Sequence, residues 1–234
     1  ELVICGYPPR DLLLKPQFCI DAVKSLHKIA CKIDTVPAII GTVEYISAIN
    51  QNRILFNSAA WCENRTIKQY FRKSLLPNYD VFDEARYFKA EDTPNTIEWN
   101  NKIIGVTICE DIWHPEPAAQ AKAAGAEMLI NINASPFHRG KTSERLERVK
   151  SCAGAHQLPI IYVNQVGGQD ELVFDGGSFA IDAQGELSVS AQTFIEAFPI
   201  VTVDCSSDPR MVRGDTVAER EDLDAVWQAL VLGL

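Results

Sequence analysis

The stretch Ile103-Ile104-Gly105-Val106-Thr107-Ile108-Cys109-Glu110-Asp111-Ile112-Trp113 decides the fold. Its first six residues are almost uniformly apolar and end in a polar turn. That pattern reads as a strand buried on both faces, as inside a parallel sheet. Ala38–Val43, Met128–Asn133 and Ile160–Asn164 repeat it along the chain. Helical patterns fall between these runs. One helix is expected from Pro117, with proline in its first turn and Gly125 closing it, and a second from about Ser143 to Gln157, limited by Pro159. Strand, helix and strand in succession make the chain α/β rather than all-β.

Toward the N-terminus, between Lys15 and Ala30, residues Phe18, Ala22, Val23, Leu26, Ile29 and Ala30 fall on one helical face opposite Lys24 and Lys28, which reads as an amphipathic surface helix. Two segments, Arg53 to Arg72 and Leu172 to Val189, place β-formers around the turn signals Asn64-Arg65 and Asp182-Ala183-Gln184-Gly185, so antiparallel hairpins and mixed sheets are expected. From Ala218 to Leu234 a last helix gathers Leu223, Val226, Trp227, Leu230 and Val231 on one stripe. No repeat or linker-like tract interrupts the sequence, which predicts a single domain over residues 1–234. Because Glu1 already stands in an apolar stretch and the last helix ends without a cap, the chain is expected to be cut at both ends, with a first strand missing and a further domain downstream.

The totals exclude several classes of function. A formal net charge of −9 without clustered Lys and Arg argues against nucleic acid and for a small-molecule substrate. No apolar run is long enough to cross a bilayer, so no membrane partner is expected. Seven scattered cysteines (5, 19, 31, 62, 109, 152 and 205) suit reduced thiols and a cytoplasmic address. The four histidines lie far apart and no C-x-x-C pair occurs, so no metal is expected.

The chemistry points to Cys109. A thiol at the C-terminal end of a parallel strand lies where open α/β sheets bind ligands, and the turn that follows offers acids and backbone N–H groups. By position alone Cys109 also reads as a small buried hydrophobe. No histidine is placed to activate it as in papain-like enzymes, and neither a G-x-S-x-G elbow nor a phosphate-binding or dinucleotide-binding glycine loop is present.

Three segments then carry a resemblance. Glu1-Leu2-Val3-Ile4-Cys5-Gly6-Tyr7-Pro8-Pro9, Lys73-Ser74-Leu75-Leu76-Pro77-Asn78-Tyr79 and Gly105 to Trp113 resemble nitrilase-superfamily signatures, in that family's order of Glu, Lys and Cys. More narrowly, Gly6 to Leu12, Leu76 to Tyr79 with Val81-Phe82-Asp83-Glu84, and Val163 to Asp170 resemble the glutaminase domains of glutamine-dependent NAD(+) synthetases. The resemblance runs over essentially the whole chain, including Asp175-Gly176-Gly177-Ser178 and the closing helix.

It implies an α-β-β-α sandwich in which Glu1 is the general base, Lys73 stabilises the tetrahedral intermediate and Cys109 forms a thioester. Tyr7, Tyr79, Phe82, Glu110, Ser135 and Lys141 match its glutamine-binding positions. Some relatives carry Arg where Lys141 stands, and a lysine weakens bidentate carboxylate recognition. Glu84 matches either a second carboxylate of such sites or a solvated loop acid. Tyr79 and Phe82 read equally as packing aromatics and Trp113 as a core anchor. The triad is chemically coherent, since a lysine favours the thiolate while a carboxylate takes its proton and later activates water. The implied activity is hydrolysis of glutamine, with ammonia passed to a C-terminal synthetase domain that uses ATP and Mg. No cofactor is implied for this domain, and a homo-oligomer is. Two rivals are a stand-alone amidase for another small amide and a catalytically silent scaffolding domain. With Glu1 first in the chain, its α-amino group is expected to perturb that carboxylate.

Overall fold

Lys15 is extended and the chain turns helical at Pro16, where the missing N–H of proline costs nothing. This computed structural model describes residues 1–47, 53–206, 210–218 and 220–234. They form two compact units, Glu1–Thr93 and Pro94–Leu234.

In the first unit, helix α1 (Pro16–Ala30) is followed by β1 (Ala38–Ser47), β2 (Arg53–Glu63) and β3 (Thr66–Arg72), an antiparallel sheet in the order β1-β2-β3. The α1 face that packs inward is Cys19, Ala22, Leu26 and Ala30. The expected Ile29 is instead exposed, because the buried stripe repeats every three to four residues from Cys19 and passes it by. The β2–β3 hairpin turns at Asn64-Arg65, both at positive φ, the requirement of the two-residue turn that matches strand twist. Trp61 pairs with Gln69 but Cys62 with Ile67, so Lys68 is the extra residue of a β-bulge.

In the second unit the strands are β4 (Thr96–Trp99), β5 (Lys102–Ile108), β6 (Met128–Asn133), β7 (Ile160–Asn164), β8 (Val166–Gln169), β9 (Leu172–Asp175), β10 (Phe179–Ile181), β11 (Leu187–Ser190), β12 (Thr202–Asp204) and β13 (Met211–Arg213). Its six-stranded sheet runs β11-β10-β7-β6-β5-β4, parallel across β5-β6-β7 and antiparallel outside them, so the sheet is mixed, as expected. Helices α2 (Pro115–Ala123) and α3 (Lys141–His156) fill the crossovers and cover Leu129, Ile160, Tyr162 and Phe179. Helix α2 starts two residues before the expected Pro117, because Pro115 takes the first helical position after a 3₁₀ turn over Cys109–Trp113.

Of the expected Leu172–Val189 hairpin only β10–β11 forms. Leu172–Asp175 pairs with Val166–Gln169 in a separate ribbon, since Asp170, at positive φ, supplies a nearer turn. The last helix, α4 (Asp222–Leu232), lies on that ribbon through Ala229, while Leu223, Trp227, Leu230 and Val231 of the anticipated stripe are exposed. Residue 219, within the span expected to be helical, lies outside the described residues. All seven cysteines are free, and among the described residues no helix is long and apolar enough to cross a membrane.

Candidate active site

In the first unit, pleating along β3 separates two charged networks. Arg72 reaches one side of the strand, where its guanidinium donates to Glu44 at 2.7 and 2.8 Å and to Glu91 at 2.5 Å. Lys73 follows it, donates its backbone N–H to the Asn57 carbonyl, and so points its side chain the other way. There Nζ donates to Glu1 Oε1 and Glu84 Oε1, each at 2.7 Å. Asn57 Nδ2 donates to the same two carboxylates at 2.7 and 3.2 Å, and Tyr7 Oη donates to Glu84 at 2.7 Å. Lys73 is only 1% exposed, and Glu1, Glu84, Tyr7 and Asn57 are buried with it.

Two local features deliver the carboxylates. Gly41 on β1 carries no Cβ, and one built there would stand 2.6 Å from Leu2 N and 2.7 Å from the Glu1 carbonyl carbon, so only glycine admits the Glu1 backbone. Glu84 opens a 3₁₀ turn, with its N–H donating to the Pro77 carbonyl and that of Phe82 to the Tyr79 carbonyl. The Leu76-Pro77-Asn78-Tyr79 segment is therefore the bracket of Glu84. The solvated-loop reading of this acid is excluded by its burial.

Two carboxylates share one ammonium, and their titrations separate. Burial pushes Glu84 up, and the neighbouring Glu1 charge adds to it. Lys73 and the hydrogen bonds from Lys73 and Tyr7 offset only part, leaving Glu84 at about 7. Burial also pushes Glu1 up. The Lys73 ammonium and the hydrogen bonds from Lys73 and Asn57 work against it, and Glu1 stays below its ordinary value. The aromatic residues Tyr7, Phe82 and Tyr79 stand in a row, with centroid spacings of 6.3 and 5.5 Å, beside a cavity of about 420 Å³ lined by Tyr7, Phe82 and Glu84.

In the second unit Cys109 follows the last residue of β5 at φ +44, a left-handed backbone that a non-glycine residue rarely adopts. Asp111, fully buried, accepts the Ile108 N–H at 2.9 Å and holds this corner. Cys109 and Glu110 are both buried, with Glu110 3.5 Å from His114. Ser135 lies just past β6 and is buried, bonded to Arg145 and Asn164. Lys141, at the start of α3, lies 4.2 Å from the centre of the Trp113 ring and pairs with Glu144 at 3.0 Å.

The structure thus brings together Glu1, Lys73 and Tyr7 in one unit, with Tyr79 and Phe82 beside them, and sets Cys109, Glu110, Ser135 and Lys141 in the other. Sequence reasoning did not single out Asn57 or Arg145. The available signal for Asn57 was a polar pair, Asn57-Ser58, inside an otherwise apolar strand.

The carbon-nitrogen hydrolase family matches residues 1–208, across both units. The chain belongs to the carbon-nitrogen hydrolase family. Within it, the chain is 38% identical over its full length to a glutamine-dependent NAD(+) synthetase of Synechocystis and 39% identical over 90% of its length to one of Thermotoga maritima. It spans 44% and 36% of those two proteins. A solved glutamine-dependent NAD(+) synthetase of Acinetobacter baumannii superimposes with a TM-score of 0.87 and 32% identity over 97% of this chain and 42% of that one. A carbon-nitrogen hydrolase of Helicobacter pylori gives 0.69 and 25% over 82% of this chain and 70% of that one. The nitrilase-type fold expected from the sequence is therefore the fold of this carbon-nitrogen hydrolase domain.

Proposed function

We propose that this carbon-nitrogen hydrolase hydrolyses the side-chain amide of glutamine, with Cys109 as nucleophile. The observation that carries the reading is the buried Glu1–Lys73–Glu84 cluster, in which one ammonium holds one carboxylate below its ordinary range while the other is raised to about 7. An amide hydrolase needs a carboxylate that stays ionised to accept the thiol proton and a cation to meet the developing oxyanion.

In this scheme the Glu1 carboxylate takes the Cys109 proton and the sulfur adds to the amide carbon. Lys73 Nζ and the backbone N–H groups of the Cys109–Trp113 turn face the tetrahedral oxyanion. Glu1 returns its proton to the leaving nitrogen, ammonia departs, and a thioester remains. Glu1 then draws a proton from water, hydroxide adds to the thioester carbon, and glutamate leaves as the thiol is restored. Glu84 and Tyr7 hold Lys73, and Asn57 spans both carboxylates. Tyr7, Tyr79, Phe82, Glu110, Ser135 and Lys141 are the residues this scheme assigns to binding the amino acid. Lys141, tied to Glu144 and Trp113, acts there as a point charge and not as a bidentate fork.

The similarity to glutamine-dependent NAD(+) synthetases, of which the chain spans less than half, supports a wider reading. The ammonia would serve a C-terminal synthetase domain that uses ATP and Mg, within a cytoplasmic homo-oligomer. The test is intact-mass spectrometry after incubation with diazo-oxo-norleucine, a glutamine-shaped electrophile. One adduct is expected on the chain and none on Cys109→Ala, which should fold normally, since a thiol-to-methyl change costs less than about 1.5 kcal/mol. An adduct that persists in the variant refutes the nucleophile.

A further inference from the structure

Arg145 projects from α3 into the second unit, 2% exposed, and spends every N–H it has. Nη1 donates to both oxygens of the fully buried Asp175 at 2.7 and 2.9 Å. Nη2 donates to the carbonyls of Ser135 and Pro136 at 2.7 and 2.9 Å, and Nε to Ser135 Oγ at 3.0 Å. Asn164, at the end of β7, grips the same residue from the other side. Its Oδ1 accepts the Ser135 N–H at 3.0 Å, and its Nδ2 donates to the carbonyls of Ser135 and Gly176 at 3.3 and 3.1 Å. Four chain segments, from β6, α3, β7 and β9, converge on Ser135.

A buried ion pair is a weak device for stability, because an apolar replacement of similar volume often serves as well. A guanidinium fork adds direction instead, fixing several acceptors in one plane. Here the fork and Asn164 assign the N–H, the carbonyl and one hydroxyl lone pair of Ser135. Since Oγ accepts from Arg145 Nε, its own proton must point elsewhere. Beside it stands Tyr162, 1% exposed, whose phenol is pushed up by burial against the pull of Arg145 and of its hydrogen bond with Ser135, which gives Oγ a second partner inside the protein.

We infer that Arg145 is a positioning residue, which with Asp175 and Asn164 locks Ser135 so that its hydroxyl proton is presented to an oxygen acceptor on the amino-acid end of the substrate. This rests on the glutamine reading above and deepens it. The role is recognition of the remote end, so Arg145 governs how tightly an amino-acid-shaped molecule is held and not how reactive the Cys109 sulfur is.

Two electrophiles separate these quantities. Diazo-oxo-norleucine needs the amino-acid pocket, and iodoacetamide needs only the thiol. For Arg145→Lys and Ser135→Ala alike, the concentration of diazo-oxo-norleucine for half-maximal labelling of Cys109 should rise about tenfold, the effect of one lost charge-assisted hydrogen bond. The iodoacetamide rate should stay within about twofold, and the double variant should be no worse than either single one, because both remove the same interaction. Ser135→Ala keeps the test valid if Arg145→Lys does not fold. Unchanged diazo-oxo-norleucine dependence in Ser135→Ala overturns the proposal, as do equal losses with both reagents or additive losses in the double variant. A wild-type chain that takes iodoacetamide but not diazo-oxo-norleucine refutes the glutamine reading itself, and this proposal with it.

Discussion

Replacing Glu84 by Gln should make the protein more stable at neutral pH than in mild acid, relative to the wild type. The wild-type carboxyl titrates near 4.5 when unfolded and at about 7 in the folded chain. Between those values the native state holds a proton that the unfolded state has lost, so stability falls as pH rises through that window. The contribution is fully present below about pH 4.5 and gone above about pH 7. At about 1.4 kcal/mol per pH unit, the gap corresponds to about 3 kcal/mol. Glutamine keeps the uncharged shape, can still accept from Tyr7 and Lys73, and leaves Glu1 and Lys73 as a balanced pair. Glu1 works in the opposite sense, its contribution disappearing as pH falls, and because its charge helps to raise Glu84 the drift reports the pair of carboxylates together. Urea unfolding followed by tryptophan fluorescence from pH 4.5 to 8 should show the stability difference drifting toward the variant by up to about 3 kcal/mol. Parallel profiles over the whole range would refute the raised titration of Glu84.

Lys73→Met leaves two buried carboxylates without a cation. It should cost about 3–5 kcal/mol at pH 8, less at pH 6 where one acid protonates, and abolish turnover; a pH-independent loss in urea titrations would contradict the shared-ammonium description. Gly41→Ala forces a methyl against the Glu1 and Leu2 backbone and should cost about 1–3 kcal/mol while displacing Glu1 from Lys73. Unchanged melting and unchanged glutamine hydrolysis would both have to be seen for that contact to be dismissed.

The elements that were legible in the sequence share one property: their side chains answer to local pattern. The buried strands Met128–Asn133 and Ile160–Asn164 appear with their expected bounds, because unbroken apolar runs flanked by turn residues leave one solution. The Asn64-Arg65 turn was legible for the same reason. What was not legible depends on partners distant in sequence. Nothing near Glu84 reveals that Lys73 and Asn57 will bury it, and nothing near Leu172 says that β8 will claim it before β10 does. The α4 stripe shows the limit of amphipathicity as evidence, since its periodicity was real while the face turned to the protein is that of Ala229. In the site, the motif residues were legible through resemblance, whereas Asn57 and Arg145 act through hydrogen bonds that no spacing rule encodes.

The bulge at Lys68 has a consequence for how this domain tolerates insertions and deletions. Downstream of it, side-chain parity along β3 is inverted relative to the turn, and that inversion decides which cation, Arg72 or Lys73, enters which compartment. Deleting Lys68 would remove the unpaired residue alone and leave Gln69 opposite Trp61, so both cations would keep their compartments, whereas one residue inserted between Gln69 and Arg72 would carry Arg72 to the place of Lys73 and thrust a guanidinium among Glu1, Glu84 and Tyr7. The bulge is therefore a spare residue that this strand can lose, but not add to further along, while keeping the chemistry of the lysine.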